Sequence, residues 1–234
     1  MGYQRILLKL SGEVLGGGSG RGFDFELARG VAAGVAEAAR QGAGVGIVVG
    51  GGNFFRGLGS ADSGIERVTV DSMGMLATVV NALGLAGLLR AEGLRAEAFS
   101  AVGMEPLAAR YDRRAVNALL DDGGVAVFGG GTGNPYFSTD TAAALRAIEI
   151  GADLLAKGTK VDGVYDKDPA RHPDAKRYAK ISYSDVLAQG LGVMDATAVA
   201  LCRENKMPVL VFDLLAEGAV ARVARGESMG TLMS

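Results

Sequence analysis

The chain has 234 residues, 49% hydrophobic and 21% charged, which is enough to bury one large core without disulfides or a structural metal. Its net charge is -2 and its lysines and arginines are scattered, so a broad nucleic-acid footprint is excluded. The lone cysteine, Cys202, excludes an internal disulfide, and together with the lone histidine it leaves too few ligands for a closed zinc site.

Residues 4–10 predict a strand with one anomaly. Lys9 stands in the apolar run of Ile6, Leu7, Leu8 and Leu10, and an unpaired buried ammonium costs several kcal/mol, so something must solvate it. Asp24 predicts the cap of a helix in which Leu27, Val31, Val35 and Ala38 recur at helical spacing until Gln41-Gly42. "GVGIVVGGGN" then predicts a second strand ending in three glycines. A long helix is expected from about Ile65 to Glu92. Its apolar stretch at 73–89 is broken by Gly and Asn, so it reads as a core helix, and no membrane span is expected. A strand at 95–100, a helix at 112–121 and the strand of "GVAVFGGG" follow. Thr139 and Asp140 start a further helix to Ile150, ahead of the strand "ADLLAK". Residues 158–182, rich in Asp, Lys, Pro and Gly, are expected to form a long functional loop or a small hairpin. A helix near Asp195, the strand "MPVLVF", a helix near 216–225 and a short terminal strand complete the order.

This alternation predicts one α/β domain over 1–234, a three-layer αβα sandwich with a largely parallel central sheet. The start of the chain passes directly into a strand without a leader pattern, and Cys202 reads as a small buried filler; both fit a cytoplasmic protein.

Glycine is the compositional anomaly: 37 residues, about twice the usual share. "KLSG" at 9–12, "GGGN" at 50–53, "GGGTGNP" at 129–135 and "KGTKVDG" at 157–163 each follow a predicted strand. Ligands of open parallel sheets bind outside the carboxyl ends of the strands, so the four loops are expected to converge on one crevice. Glycine backbones that aim successive amides at a ligand suit phosphate oxygens. There is neither a GxxxxGK[ST] loop nor a GxGxxG fingerprint, and His172, in the polar stretch "ARHPDAK", reads as a solvated surface residue. What remains is lysine, arginine and aspartate. Phosphoryl transfer needs positioning and charge cancellation more than covalent chemistry, so Lys9 and Lys160 are candidates to flank the moving group. A lysine snorkelling to water from a strand end is the plainer account of Lys9. Asp140, Asp162, Asp168 and Asp195 are candidates to orient the lysines or hold magnesium through water, with helix capping an equally good account of Asp140 and Asp195.

Several long motifs occur in order from about Arg5 to the terminal "GTLM": "QRILLKLSGE", "GGGNFFRG", "DSMGMLATVVNAL", "GTGNPYFSTDTAAALRAIEI", "KGTKVDGVYDKDP" and "VMDATAVALCRENKMPVLVF". On these residues the chain resembles the bacterial UMP kinases of the amino acid kinase superfamily. The resemblance implies an amino acid kinase-like fold, transfer of phosphate from ATP to UMP with magnesium, and a homohexamer. It implies ATP contacts at Lys9, Leu10, Ser11, Gly12, Gly52, Arg56, Thr159, Tyr165 and Asp168. UMP contacts are implied at Gly51, Asp71, Thr132, Gly133, Asn134, Pro135, Tyr136, Phe137, Ser138 and Thr139. Lys9 and Lys160 would be the charge stabilisers, with Asp140 and Asp195 as organising carboxylates. The place of the family's GTP-responsive segment is taken by Gly17, Gly18, Ser19, Gly20, Arg21 and Gly22, whose composition fits a disordered loop as well as a regulatory one. A carboxylate or carbamate kinase of the same fold, and a non-enzymatic nucleotide-binding storage or sensor protein, are the alternatives.

Overall fold

The structure is a computed structural model that describes residues 2–55 and 64–234. Among the described residues there are nine strands, the longer ones formed by the apolar runs: β1 (Arg5–Leu10), β2 (Gly44–Val49), β3 (Ala96–Ser100), β4 (Ala109–Arg110), β5 (Val125–Gly129), β6 (Leu154–Thr159), β7 (Lys180–Ile181), β8 (Val209–Asp213) and β9 (Thr231–Met233). They form one sheet in the order β4-β3-β5-β2-β1-β6-β8-β9-β7. Only the β8–β9 pairing is antiparallel among the described strands, so the sheet is largely parallel as expected.

Side chains alternate across each strand, and this splits the core in two. Ile6, Leu8 and Leu10 of β1 face α2 (Phe25–Arg40), α3 (Arg67–Ala91) and α8 (Ala219–Ala224), through residues such as Val35, Leu85 and Val223. Leu7 and Leu155 face the other layer, where α4 (Arg113–Asp121), α5 (Thr139–Glu149), α6 (Tyr183–Ala188) and α7 (Ala196–Glu204) contribute Val116, Ala143, Val186 and Ala198. Lys9 shares the parity of Leu7, and the alternation therefore aims it at the α5 layer. Cys202 is a buried filler on α7, and burial pushes its thiol up to about 12.

The helix starts follow from local chemistry. The Asp24 carboxylate accepts from the Leu27 amide at 3.0 Å and caps α2. Ser138, one residue before the expected start, caps α5 through the amides of Asp140 and Thr141. Asp195 caps α7. α3 is 25 residues long, and an 18-residue stretch of it is apolar enough to span a bilayer by composition alone. Here Val79, Ala82, Leu85 and Leu89 bury one of its sides against the sheet, which makes it the expected core helix.

Four elements were not legible: α1 (Gly12–Leu15), α6, β4 and β7 are two to six residues long, too short for a periodic pattern to register. The final helix is also shorter than expected, because Gly218 caps it in a left-handed conformation. Within 158–182 a small antiparallel arm forms, with a Tyr165–Arg177 bridge and the Tyr178 amide donating to the Val164 carbonyl at 2.8 Å.

Candidate active site

β5, β2, β1 and β6 are four consecutive parallel strands, and the four glycine loops are their carboxyl-end continuations. The expected convergence is thus a consequence of strand order. The first two loops touch backbone to backbone: a Cβ on Gly12 would lie 2.5 Å from the Gly52 nitrogen and 2.9 Å from the Gly50 carbonyl oxygen.

Lys9 of β1 is paired in register with Lys157 of β6. Both side chains rise toward α5, and Asp140, in the first turn of that helix, lies between them. Lys9 Nζ is 2.7 Å from Asp140 Oδ1, and Lys157 Nζ is 2.8 Å from Oδ2. The Lys9 contact is ionic rather than a directed hydrogen bond, since Oδ1 is buried without a hydrogen-bond donor of good geometry. Lys157 also donates to the Val193 carbonyl. Lys9 is therefore solvated by a carboxylate at the strand end. Burial alone would push the Asp140 carboxyl up, but the ammoniums of Lys9 and Lys157 outweigh it and hold the group below its ordinary value. Burial and the neighbouring Lys9 charge depress Lys157, with Asp140 and then Asp195 acting against them. The cluster carries two positive charges and one negative, and it faces the crevice beside the amino end of α5, where the helix adds positive potential.

Sequence reasoning missed Lys157. Its signal was present: "ADLLAK" ends on a lysine as "ILLK" does, at the same height in adjacent strands. Lys160, the lysine singled out instead, is exposed on the loop after β6, and the ion pair with Asp140 is made three residues earlier. Asp195 combines the two accounts given of it. Besides capping α7 through the Ala198 amide at 3.0 Å, its carboxylate accepts from the hydroxyls of Ser138 and of Thr141, the latter at 3.0 Å. Asp140 caps nothing, because Ser138 does so. Its carboxylate is free to organise the lysines.

Two hollows flank this cluster, one reaching Ser138 and Thr139 beside Asp140 and the other reaching Lys157. The smaller, about 170 Å³, is lined by Gly51, Gly52, Asp71, Thr132, Asn134, Phe137, Ser138 and Thr139 together with α3 residues. Gly133 and Pro135 belong to the same loop, and Tyr136 is exposed with φ 71°. The Tyr136 amide donates to Asp71 Oδ2 at 2.7 Å, Arg67 Nε reaches the same carboxylate at 2.8 Å, and the Arg67 guanidinium lies 5.4 Å from the Tyr136 ring centroid. Burial opposes ionisation of Asp71, yet the Tyr136 amide and Arg67 prevail and hold its carboxyl below the ordinary value. The larger hollow, about 600 Å³, is lined by Lys157, Thr159, Tyr165 and Asp168 among others. Its rim is internally bonded: Thr159 Oγ1 donates to the Val161 carbonyl at 2.6 Å, the Tyr165 hydroxyl to Asp162 at 2.6 Å, and the Ala170 amide to Asp168 at 2.9 Å. Leu10 is buried, and the Ser11 hydroxyl caps α1 through the Val14 amide. Arg56 lies outside the described residues. His172 is exposed as expected.

The glycine segment takes a compact turn conformation. Residues 17–19 form a 3-10 turn, Gly17 has φ +60°, and a Cβ there would collide with Asp24 Oδ2 at 1.9 Å. The Gly22 amide donates to the Asn53 carbonyl at 3.0 Å, and Asn53 Nδ2 returns a bond to the Gly22 carbonyl at 2.6 Å. Among the described residues no three His, Cys, Asp or Glu side chains cluster as metal ligands.

The profile of the Amino acid kinase family matches residues 4–213, most of the chain and all four glycine loops. The chain belongs to that family. Among members of the amino acid kinase family it is 48% identical to a uridylate kinase of Parabacteroides distasonis over 231 residues, covering 99% of this chain and 98% of that one. The solved UMP kinase of Bacillus anthracis superposes with a TM-score of 0.96 at 36% identity, covering 100% of this chain and 97% of the other. The UMP kinase of Ureaplasma parvum gives 0.93 at 35% identity with full coverage of both chains. For this amino acid kinase the three-layer fold is thus matched along its whole length.

Proposed function

We propose that the protein transfers the terminal phosphoryl group of ATP to UMP, giving ADP and UDP in pyrimidine nucleotide synthesis. The observation that carries this reading is the Lys9–Asp140–Lys157 cluster, flanked by the two hollows through Thr139 and Lys157, in a chain whose full-length relatives are UMP kinases. ATP is assigned to the larger hollow through Thr159, Tyr165 and Asp168, and to the neighbouring loops through Lys9, Leu10, Ser11, Gly12 and Gly52, the last of which also lines the smaller hollow. UMP is assigned to the smaller, with Gly51, Asp71 and the run Thr132 to Thr139. A phosphate monoester has a second pKa near ~6, so its oxygen is already an anion at neutral pH and needs no general base. This fits a site of lysines and hydrogen-bonded carboxylates. The two ammoniums cancel charge on the moving group, most strongly at the transition state, while Asp140 fixes their positions and Asp195 braces the start of α5. Lys160, next to Thr159 on the rim, is assigned an outer charge on the donor side.

Magnesium fits this donor set only indirectly. Both oxygens of Asp140 face lysines and Asp195 accepts three hydrogen bonding groups, so the ion would be held chiefly by substrate phosphates, where it neutralises their oxygens. One domain carrying both sites, a cytoplasmic setting, a homohexamer and a GTP response through residues 17–22 belong to the same reading. Met73, Leu76 and Val80 are exposed at helical spacing on α3 and offer an apolar surface for assembly.

The test is ADP release from Mg-ATP with UMP, CMP, dUMP, AMP and GMP offered separately. Turnover with UMP well above the other four is expected. Silence with all five from folded, ATP-binding protein would favour the storage or sensor alternative, and turnover with a carboxylate or carbamate would favour the other kinase.

A further inference from the structure

We infer that Thr78 and Asn81, three residues apart on α3, are positioning residues that hold the acceptor-side and donor-side glycine loops against a single helix. The assignment of the loops to acceptor and donor rests on the UMP kinase reading, while the mechanical link does not.

Both side chains are polar and buried, 2% and 0% exposed, in a stretch that packing alone would fill with apolar residues. The i, i+3 spacing puts them on the helix face that meets the loops. Thr78 Oγ1 gives its proton to the Met75 carbonyl at 2.7 Å, which fixes the hydroxyl and leaves a lone pair to accept from the Gly130 amide, also at 2.7 Å. Gly130 begins the loop that carries Thr132 to Thr139. Asn81 Nδ2 donates to the Gly50 carbonyl at 2.7 Å, at the start of the loop that carries Gly51 and Gly52. The remaining capacity of Asn81 goes to Asn53: the two amides exchange hydrogen bonds of 2.7 and 2.9 Å, and Asn53 spends its other N–H on Gly22. All four amide protons of the pair are therefore used, in a buried circuit.

Backbone contacts reinforce the link. A Cβ on Gly51 would stand 2.8 Å from Ala77 Cβ and 2.9 Å from the Gly74 carbonyl oxygen, and one on Gly129 would stand 2.9 Å from Val79 Cα. Both loops thus lie directly on the α3 backbone, one on each side of Thr78. Phosphoryl transfer is sensitive to the separation of donor and acceptor, and a displacement of about 1 Å costs on the order of 10²-fold. One rigid helix that carries a tether to each loop sets that separation.

The experiment pairs Thr78→Val, which keeps the shape and removes the acceptor, with Thr78→Ser, which restores it, and Asn81→Leu. Thr78→Val is expected to raise KM for UMP about tenfold with KM for ATP little changed, and Thr78→Ser to return it to the wild-type value. Asn81→Leu is expected to raise KM for ATP and for UMP together, because its loop carries both Gly52 and Gly51, and to leave exchange at Gly130 slow. Backbone amide exchange at Gly130, measured without substrate, is expected to accelerate about tenfold in Thr78→Val and to stay slow in Thr78→Ser. Should valine fail to pack, Thr78→Ala gives the same readouts. In Thr78→Val, a common rise of both KM values tracking a fall in Tm, or unchanged exchange at Gly130, overturns the inference. A wild-type protein silent with UMP would defeat the functional reading alone, because Gly130 exchange still decides whether the tether exists.

Discussion

Lys9→Met lowers kcat roughly 10²–10³-fold and leaves KM for UMP within about threefold, the pattern expected when a charge is used mainly as the phosphoryl group moves. Methionine keeps an unbranched stem in the space between the strand end and α5, so the change removes the ammonium with little loss of packing. The electrostatics give the prediction a second, opposite readout. Wild type holds two ammoniums against the one carboxylate of Asp140, and their mutual repulsion is among the causes that depress Lys157. Removing Lys9 leaves a one-to-one pair. Tm is therefore expected to hold or rise while turnover collapses, a stability–function conflict typical of reactive sites. Steady-state kinetics with UMP and ATP varied separately, beside a melting curve, check both halves. Parallel losses in kcat and UMP affinity, or a large fall in Tm, would move Lys9 from the reaction to the scaffold. Lys157→Met is expected to resemble it, and the double variant to cost much less than the product of the two, because the lysines act as one unit.

The sequence made the sheet and its loops legible because both are local. Apolar runs mark β1, β2, β5, β6 and β8, glycines mark the ends of four of them, and alternation along "ILLKL" already places Lys9 opposite the Leu8 layer. What stayed hidden is register. Lys9 and Lys157 face one another because β1 and β6 are neighbours at one alignment, a fact carried by neither strand alone. Both lysines belong to the motif "KGTKVDG", and Lys160 drew attention because it stands on the loop, whereas Lys157 lies within the strand. Asp140 and Asp195 could not be separated by spacing, since each stands near a helix start. The distinction comes from Ser138, which takes the cap of α5 and so leaves Asp140 to the lysines. Likewise the Asn53–Asn81 circuit joins residues 28 apart in sequence, and only the packed helix shows that the two amides complete one another.

Asp140→Asn is the sharpest test of the cluster, because it turns a net charge of one into two in a site only 9–15% exposed at the side chains. Removing one partner of a buried ion pair leaves its charges uncompensated, and the residual exposure trims the usual penalty to roughly 2–4 kcal/mol. For a chain of this size that corresponds to about 5–15 °C in Tm. Turnover is expected to fall at least ~10²-fold as well, since the ammoniums lose the group that positions them. The pH dependence separates this mechanism from a simple packing defect. In wild type Asp140 is depressed below 3.8, so its stabilisation is present above that value and is lost as pH falls through the depressed one. The variant lacks that acid-side loss. Lys157 is depressed below 10.5 by burial and by Lys9, and in the variant nothing from Asp140 opposes them. As pH rises through its folded-state value, the folded protein sheds the proton while the unfolded chain keeps it until 10.5, so stability rises with pH and the deficit of the variant narrows. Tm measured for both proteins from neutral pH toward the ordinary lysine value should show the two curves converging. Adding Lys9→Met to Asp140→Asn should recover most of the lost Tm and none of the activity. A deficit that stays constant with pH, or survives removal of Lys9, would mean that the aspartate fills space and that charge repulsion between the lysines does not shape this site.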